Sequence, residues 1–165
     1  MANFLLKTSD ALEKCKEHLQ DTKSLDSPIA TYLAQYLSII FCAEMEETIK
    51  HLFNQAVKNR SNQLSDSELQ EFINNQLKKL KHSGLKKGEL ADYVKTFSEQ
   101  AKEKFNNQLE NKDSEITAYN NMIINRHSVA HTSQVSQFSF LELKKAVESA
   151  NKILIAMQIA LQLES

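Results

Sequence analysis

Apolar residues recur along this chain at spacings of three and four, which is the periodicity of amphipathic α-helices. The first such stretch runs from about Asn3 to Asp21, and its apolar face comprises Leu5, Leu12, Cys15 and Leu19. A second stretch begins at Pro28, because proline suits the first turn of a helix, and continues to about Asn59. Its predicted buried stripe comprises Ile29, Leu33, Tyr36, Leu37, Ile40, Phe41, Ile49, Leu52 and Phe53. Both stretches are therefore predicted to be long helices.

Three further helices are indicated by start and stop signals. Ser65 and Glu68 form a capping-box pair that opens a third helix, and Gly84 is a natural stop for it. The apolar positions of this third helix are Leu69, Phe72, Ile73, Leu77 and Leu80. A fourth helix is predicted to run unbroken to about Leu109, with inner residues Leu90, Val94, Phe97, Ala101 and Phe105. A fifth begins near Asp113 and carries Ile116, Tyr119, Ile123 and Ile124.

The last helix is marked by a second capping-box pair, Ser139 and Glu142, after a polar loop from Thr132 to Gln137. Its apolar series alternates spacings of four and three, at Leu143, Val147, Ala150, Leu154, Met157 and Leu161. Such a series is typical of a core-facing stripe and equally of a seam between two copies. No repeat or linker interrupts the pattern. The sequence therefore predicts one all-α domain over residues 1–165, an up-and-down bundle of five or six helices.

Composition agrees with helices and narrows the class of protein. Two glycines and one proline are too few for the tight turns of a sheet protein, and 41% hydrophobic residues are ordinary for a globular domain. Cys15 and Cys42 lie within helical patterns, which indicates buried thiols in a reducing compartment. The N-terminus lacks the long apolar stretch of a signal peptide, and no window approaches the ~18 apolar residues of a membrane span. We expect a cytoplasmic protein without a membrane anchor.

Chemistry is concentrated at positions 125–131, Asn-Arg-His-Ser-Val-Ala-His, which hold one of the two arginines and two of the five histidines. The net charge of −1 gives no global attraction for nucleic acid, so any RNA contact has to be local. Arg126 offers a planar fork of donors that matches a phosphate, and His131 titrates near neutrality. Together they supply what RNA cleavage without a metal requires, because the 2′-hydroxyl is an internal nucleophile.

The spacing within this segment bears on whether one copy suffices. Residues five apart lie ~140° around an ideal helix, so Arg126 and His131 do not share a face, whereas His127 and His131 do. A single copy therefore holds an incomplete site unless the helix bends or a second copy completes it. A two-fold dimer brings two such segments together.

The segment resembles the R-x4–6-H motif of HEPN domains, with Arg126 as the arginine, His127 as the polar residue that follows it and His131 as the histidine. The setting is also similar to that family, since a polar loop and a Ser139/Glu142-capped final helix follow the motif. The stretch from Glu46 to Lys50 is similar to the acidic and basic pattern that many members carry on an earlier long helix.

This resemblance implies a homodimer whose two motifs face a shared cleft. It implies a metal-independent endoribonuclease that leaves a 2′,3′-cyclic phosphate and often serves as a toxin or antiviral-defence effector. Arg126 and His131 are then catalytic, with supporting or cleft-lining residues His127, Asn125, Ser128 and Glu46. No cofactor or metal is expected; the expected partners are RNA, a second copy and an antitoxin or partner protein. The alternatives are an inactive HEPN-like module that binds nucleotide, RNA or a protein, and a helical adaptor with an accidental motif.

Each candidate also has a structural interpretation. Arg126 could be a surface residue at a helix end, and His131 could complement the helix dipole. His127 and His131 also have the spacing of two metal ligands, although no H-E-x-x-H sequence accompanies them. The densest basic run is either a solvated helix end or a grip on RNA phosphates; it comprises Lys78, Lys79, Lys81, His82, Lys86 and Lys87. A second group either orients Arg126 or forms a solvated helix face; it comprises Glu44, Glu46 and Glu47.

Overall fold

The computed structural model describes the backbone of residues 3–61, 86–132 and 138–163, and the side chains of 3–60, 86–126 and 138–163. These ranges contain six α-helices and no β-strand. The helices are α1 (Leu6–Asp21), α2 (Pro28–Ser61), α3 (Lys87–Lys95), α4 (Glu99–Gln108), α5 (Asp113–Thr132) and α6 (Phe140–Ala160). The predicted all-α bundle is confirmed. The predicted third helix, from Ser65 to Gly84, lies outside the described ranges, as does the loop over residues 133–137.

Local signals placed several helix starts correctly. The second helix begins at Pro28 and the fifth at Asp113, as predicted. At the start of α6, Ser139 Oγ accepts a hydrogen bond from the Glu142 amide at 3.2 Å, and Glu142 Oε2 accepts one from the Ser139 amide at 2.8 Å. This reciprocal pair is the predicted capping box.

The prediction of one unbroken fourth helix is wrong, because α3 and α4 are separate. Thr96 Oγ1 donates to the Tyr93 carbonyl at 2.6 Å at the end of α3. Ser98 has an extended backbone, and its Oγ accepts a hydrogen bond from the Ala101 amide at 3.0 Å, which caps a new helix. Two hydroxyl groups that compete for backbone partners thus end one helix and begin the next.

The predicted buried stripe of α2 is wrong at Ile29 and Tyr36 in its first half, and it is confirmed at Leu37 and Phe41. Ile29 and Tyr36 are 60% and 61% exposed, whereas the core face consists of Ala30, Ala34, Leu37 and Phe41. We call the exposed apolar row the outer stripe; it comprises Ile29, Tyr32, Tyr36 and Ile39. The second half of the prediction is confirmed, since Ile49, Leu52 and Phe53 are buried.

The last helix forms the centre of the bundle. All six members of its apolar series, from Leu143 to Leu161, are at most 4% exposed, and α6 contacts each of the five other described helices. The series is therefore core, and its interpretation as a seam between copies is wrong. Within the described residues, no helix is both long enough and apolar enough to cross a membrane.

Glu44 of α2 fixes the start of α1. Its carboxylate accepts hydrogen bonds from the amides of Lys7 and Thr8 at 2.9 and 2.8 Å, and from Thr8 Oγ1 at 2.6 Å. Leu5, at the N-cap position, has no side-chain oxygen to do this. Glu44 is 8% exposed, so it does not belong to a solvated face, and both of its carboxylate oxygens are engaged by α1.

The directions of three helices determine where the motif lies. A cavity of about 770 Å³ is lined by the starts of both α2 and α6. Farther along both helices, the Phe4 amide donates to Asn151 Oδ1 of α6 at 2.9 Å, and Glu44 of α2 caps α1 only one turn away from Phe4. Because α2 and α6 are close at their starts and again farther along, α6 runs parallel to α2. Glu115 at the start of α5 meets Lys152 in the second half of α6 at 2.9 Å. Consequently α5 is antiparallel to both, and its second half lies alongside the first half of α2.

Candidate functional site

Arg126 continues the buried face of α5. Tyr119 and Met122 are fully buried on that face, and Arg126 follows at the next helical repeat, half-buried. The Tyr119 ring packs edge-on against Phe41 of α2, with 6.4 Å between ring centroids. The guanidinium group is therefore carried on the side of α5 that faces α2, at the boundary between core and solvent.

Two charged side chains near this boundary affect the pKa of the Cys42 thiol. Burial raises the pKa of Cys42 to about 12; the positive charge of Arg126 acts to lower that pKa, and the negative charge of Glu46 acts to raise it. Glu46 lies one turn after Cys42 on α2 and is half-buried, with its Oε2 3.9 Å from Lys50 Nζ. The structure thus brings Arg126 and Glu46 into the same neighbourhood around Cys42.

The remaining motif residues are placed by their backbone alone. Asn125 precedes Arg126 and is half-buried. His127, Ser128 and His131 lie within α5, which is α-helical through Thr132, and their side chains are outside the described set. From Arg126 to position 131 the helix rises ~7.5 Å and turns through ~140°. One α5 therefore carries the two motif positions on different faces.

Half-burial suits Arg126 to binding a phosphate. Its fixed fork of donors matches a phosphate oxygen pair, and the lowered dielectric at the core boundary strengthens the attraction. Cys42 is protonated at neutral pH, because its pKa is about 12, and it therefore provides neither a nucleophile nor a metal ligand. Among the described side chains, no group of three His, Cys, Asp or Glu residues is arranged to hold a metal ion.

Two cavities in the described part of the chain lie apart from Arg126. One of about 520 Å³ is a polar groove between α5 and α6, and the other is the cavity of about 770 Å³ at the starts of α2 and α6. Arg126 lines neither.

The basic run contributes only its last two residues to the described structure. Lys87 Nζ donates to Asn106 Oδ1 at 2.6 Å, and the Lys87 amide donates to Asn120 Oδ1 at 3.0 Å. Lys86 provides the N-cap of α3, where its amide donates to Glu89 at 2.9 Å. Both residues therefore join or start helices; the run from Lys78 to His82 lies outside the described residues.

Sequence reasoning recognised Arg126 and Glu46 but did not connect either one to Cys42. Cys42 and Glu46 are four residues apart, so their common face on α2 could be derived from the sequence. Arg126 and Cys42 are more than 80 residues apart in the chain, so no local sequence pattern predicts that they lie close together.

Comparison with known proteins gives a family. Residues 3–162 match the model of the family described as RiboL-PSP-HEPN. The comparisons with curated proteins and with solved structures give no match.

Proposed function

Because the chain belongs to the RiboL-PSP-HEPN family, we propose that it is a metal-independent endoribonuclease with Arg126 and His131 as its catalytic pair. The observation that carries the proposal is the position of Arg126, half-buried against α2 beside Cys42 and Glu46 on the helix that bears the motif. At this boundary the guanidinium keeps donors available for a phosphate while it remains anchored on α5.

The proposed reaction is an internal displacement at phosphorus. The ribose 2′-oxygen attacks the adjacent phosphorus and loses its proton, the bond from phosphorus to the 5′-oxygen breaks, and that oxygen takes up a proton. His131 transfers one of these protons, and Arg126 stabilises the extra negative charge on the phosphoryl oxygens in the transition state. The products are a 2′,3′-cyclic phosphate and a 5′-hydroxyl, so water is not consumed in this step.

The other motif residues support that pair. His127 and Ser128 lie between its two members on α5, and Asn125 offers an amide at the border of the cleft. Glu46 orients the Arg126 guanidinium, because an anion near an arginine limits its freedom while leaving other donors of the fork available. The cleft is shared by two copies, since one α5 carries positions 126 and 131 on different faces. A role as a toxin or antiviral-defence effector is part of this proposal.

Cleavage of pooled cellular RNA in the presence of EDTA tests the proposal. The wild-type protein is expected to cleave, and Arg126→Ala and His131→Ala are each expected to lose at least ~100-fold in rate, the size of effect typical of a lost charge stabiliser or proton-transfer group. Circular dichroism and sedimentation check that the variants keep their fold and oligomeric state.

The chain offers matched controls for both substitutions. Arg60 is the other arginine; its guanidinium carbon lies 4.6 Å from the centroid of the Phe97 ring, in a structural cation–π contact. His18 is exposed near the end of α1. Arg60→Ala and His18→Ala should therefore retain cleavage. Equal cleavage by wild type and Arg126→Ala contradicts the proposal, and RNA binding without any cleavage makes the chain an inactive binding module.

A further inference from the structure

The outer stripe of α2 is the largest aligned set of exposed apolar side chains on one described helix. Ile29, Tyr32, Tyr36 and Ile39 are 60%, 60%, 61% and 47% exposed, and their spacing is three, four, three. Single exposed apolar residues are ordinary on a protein surface, but a continuous row indicates a binding surface. The row faces away from the core, since Ala34 and Leu37 on the opposite side of α2 are buried.

The charge pattern indicates what kind of partner covers this row. The 17 positions from Ser27 to Ala43 contain no Asp, Glu, Lys, Arg or His. An RNA-binding surface requires positive charge for the phosphates, and this segment has none. An uncharged face can pack against its own copy without like-charge repulsion, and the three-four spacing is that of a seam between helices.

The exposed area is of the right order for such a contact. The four side chains of the outer stripe expose roughly 500 Å² in one copy, the larger part of the ~800 Å² that each partner buries in a standard stable interface. We propose that α2 of a second copy packs on this stripe in antiparallel orientation, with Ile29 opposite the partner's Ile39 and Tyr32 opposite the partner's Tyr36.

Two physical reasons select the antiparallel orientation. The same face of α2 continues through Ala43 to Glu46 and Lys50, so a parallel pair sets like charges opposite each other at both positions. The antiparallel pair moves these charges away from their copies, to a level beyond the start of the partner's α2. It also opposes the two helix dipoles, which favours association.

This pairing of α2 helices would bring the two motifs together. The role of the converged motifs rests on the proposed function, but the pairing is argued independently of it. The two-fold axis passes between Tyr32 and Tyr36, near the middle of the outer stripe. Because α5 is antiparallel to α2, its course beyond Arg126 leads toward the first half of α2 and therefore toward that axis. Ile39 lies ~60° around α2 from Cys42, so the stripe adjoins the side of α2 that faces Arg126.

Disulfide trapping tests the register. Cys15→Ser removes the half-buried thiol, and Cys42 remains, because its burial and its pKa of about 12 keep it unreactive. In this background, Ile29→Cys and Ile39→Cys are prepared separately, oxidised alone, and oxidised after mixing and subunit exchange. The proposal predicts a covalent dimer in the mixture and little from either variant alone, read out on a non-reducing gel. Rapid crosslinking of each variant to itself indicates a parallel pair and overturns the register.

A charge placed on the stripe tests the surface itself. Ile39→Glu is expected to weaken self-association at least 100-fold by sedimentation, because it buries an unpaired carboxylate in the seam. Ile159→Glu is the matched control, since Ile159 is 45% exposed near the end of α6, away from the stripe, and this variant should remain a dimer. A wild-type monomer, or equal association by both variants, overturns the proposal. No RNA is used in either measurement, so their failure is distinguishable from failure of the ribonuclease proposal.

Discussion

Three glutamates within one turn of α2 have very different surroundings: Glu44, Glu46 and Glu47. Glu44 is buried and holds two amides and a hydroxyl at the start of α1. Glu46 is half-buried near the Cys42 thiol that Arg126 also influences. Glu47 is exposed and forms an ion pair with Lys7 at 3.3 Å. Of these three carboxylates, the middle one is the one that the ribonuclease proposal assigns to the site.

Replacement of Glu44 by Gln is expected to lower the free energy of unfolding by about 2 kcal/mol, because the amide leaves buried donors without their charged acceptor. Urea denaturation followed by circular dichroism measures this change. Glu47→Gln is the control and should have little effect, since exposed ion pairs contribute little. An unchanged midpoint in Glu44→Gln would show that α1 does not depend on this cap.

At the scale of elements, α5 and α6 are joined by a charged contact at the end opposite to the motif. The pKa of Glu115 is lowered from its ordinary 4.5 to about 2, first by the hydrogen bond from Lys152 Nζ and then by that from Ser114. Because the folded carboxyl has the lower pKa, its contribution to stability is fully present above pH 4.5. That contribution is lost as the pH falls from 4.5 toward 2.

The variant Glu115→Gln should therefore show a smaller loss of unfolding free energy between pH 4.5 and 2 than wild type does. The difference is small, because side chains exposed by 30% and 44% are screened by solvent. Glu103→Gln, an exposed position on α4, is the control and should retain the wild-type slope. Identical slopes for Glu115→Gln and wild type would contradict the assignment.

Local capping chemistry made the helix starts at Pro28 and Ser139 predictable, because each signal lies within a few residues of the feature it determines. The same reasoning overlooked the break between α3 and α4, since Thr96 and Ser98 are also tolerated inside helices. It also placed Ile29 and Tyr36 in the core, because the segment from Ser27 to Ala43 is apolar on more than one face. Packing against α1, α5 and α6 decides which face is inside.

The candidate site was predictable to a similar degree. Residue types identified Arg126 and the motif, because few side chains combine a phosphate-binding fork with a nearby proton-transfer group. The contact of α5 with α2 depends on tertiary packing, so the neighbourhood of Arg126 and Cys42 required the structure. Two members of the outer stripe, Ile29 and Tyr36, were predicted to be buried, and the structure shows them to be exposed.

On the scale of the whole molecule, the proposed site spans two copies. One α5 carries Arg126 and position 131 ~140° apart, and the proposed two-fold pairing through the outer stripe would bring the ends of two such helices together. The ribonuclease proposal then makes a specific claim: each active site takes Arg126 from one copy and His131 from the other.

Subunit complementation tests this claim most directly. Arg126→Ala and His131→Ala, each inactive alone, are mixed under conditions of subunit exchange, and RNA cleavage in EDTA is measured. Half of the dimers become heterodimers with one intact site of two, so about a quarter of wild-type activity should return. As a control, heterodimers of wild type with the Arg126→Ala/His131→Ala double variant should be inactive. Verified heterodimers of the two single variants that cleave no RNA would contradict a site shared between copies.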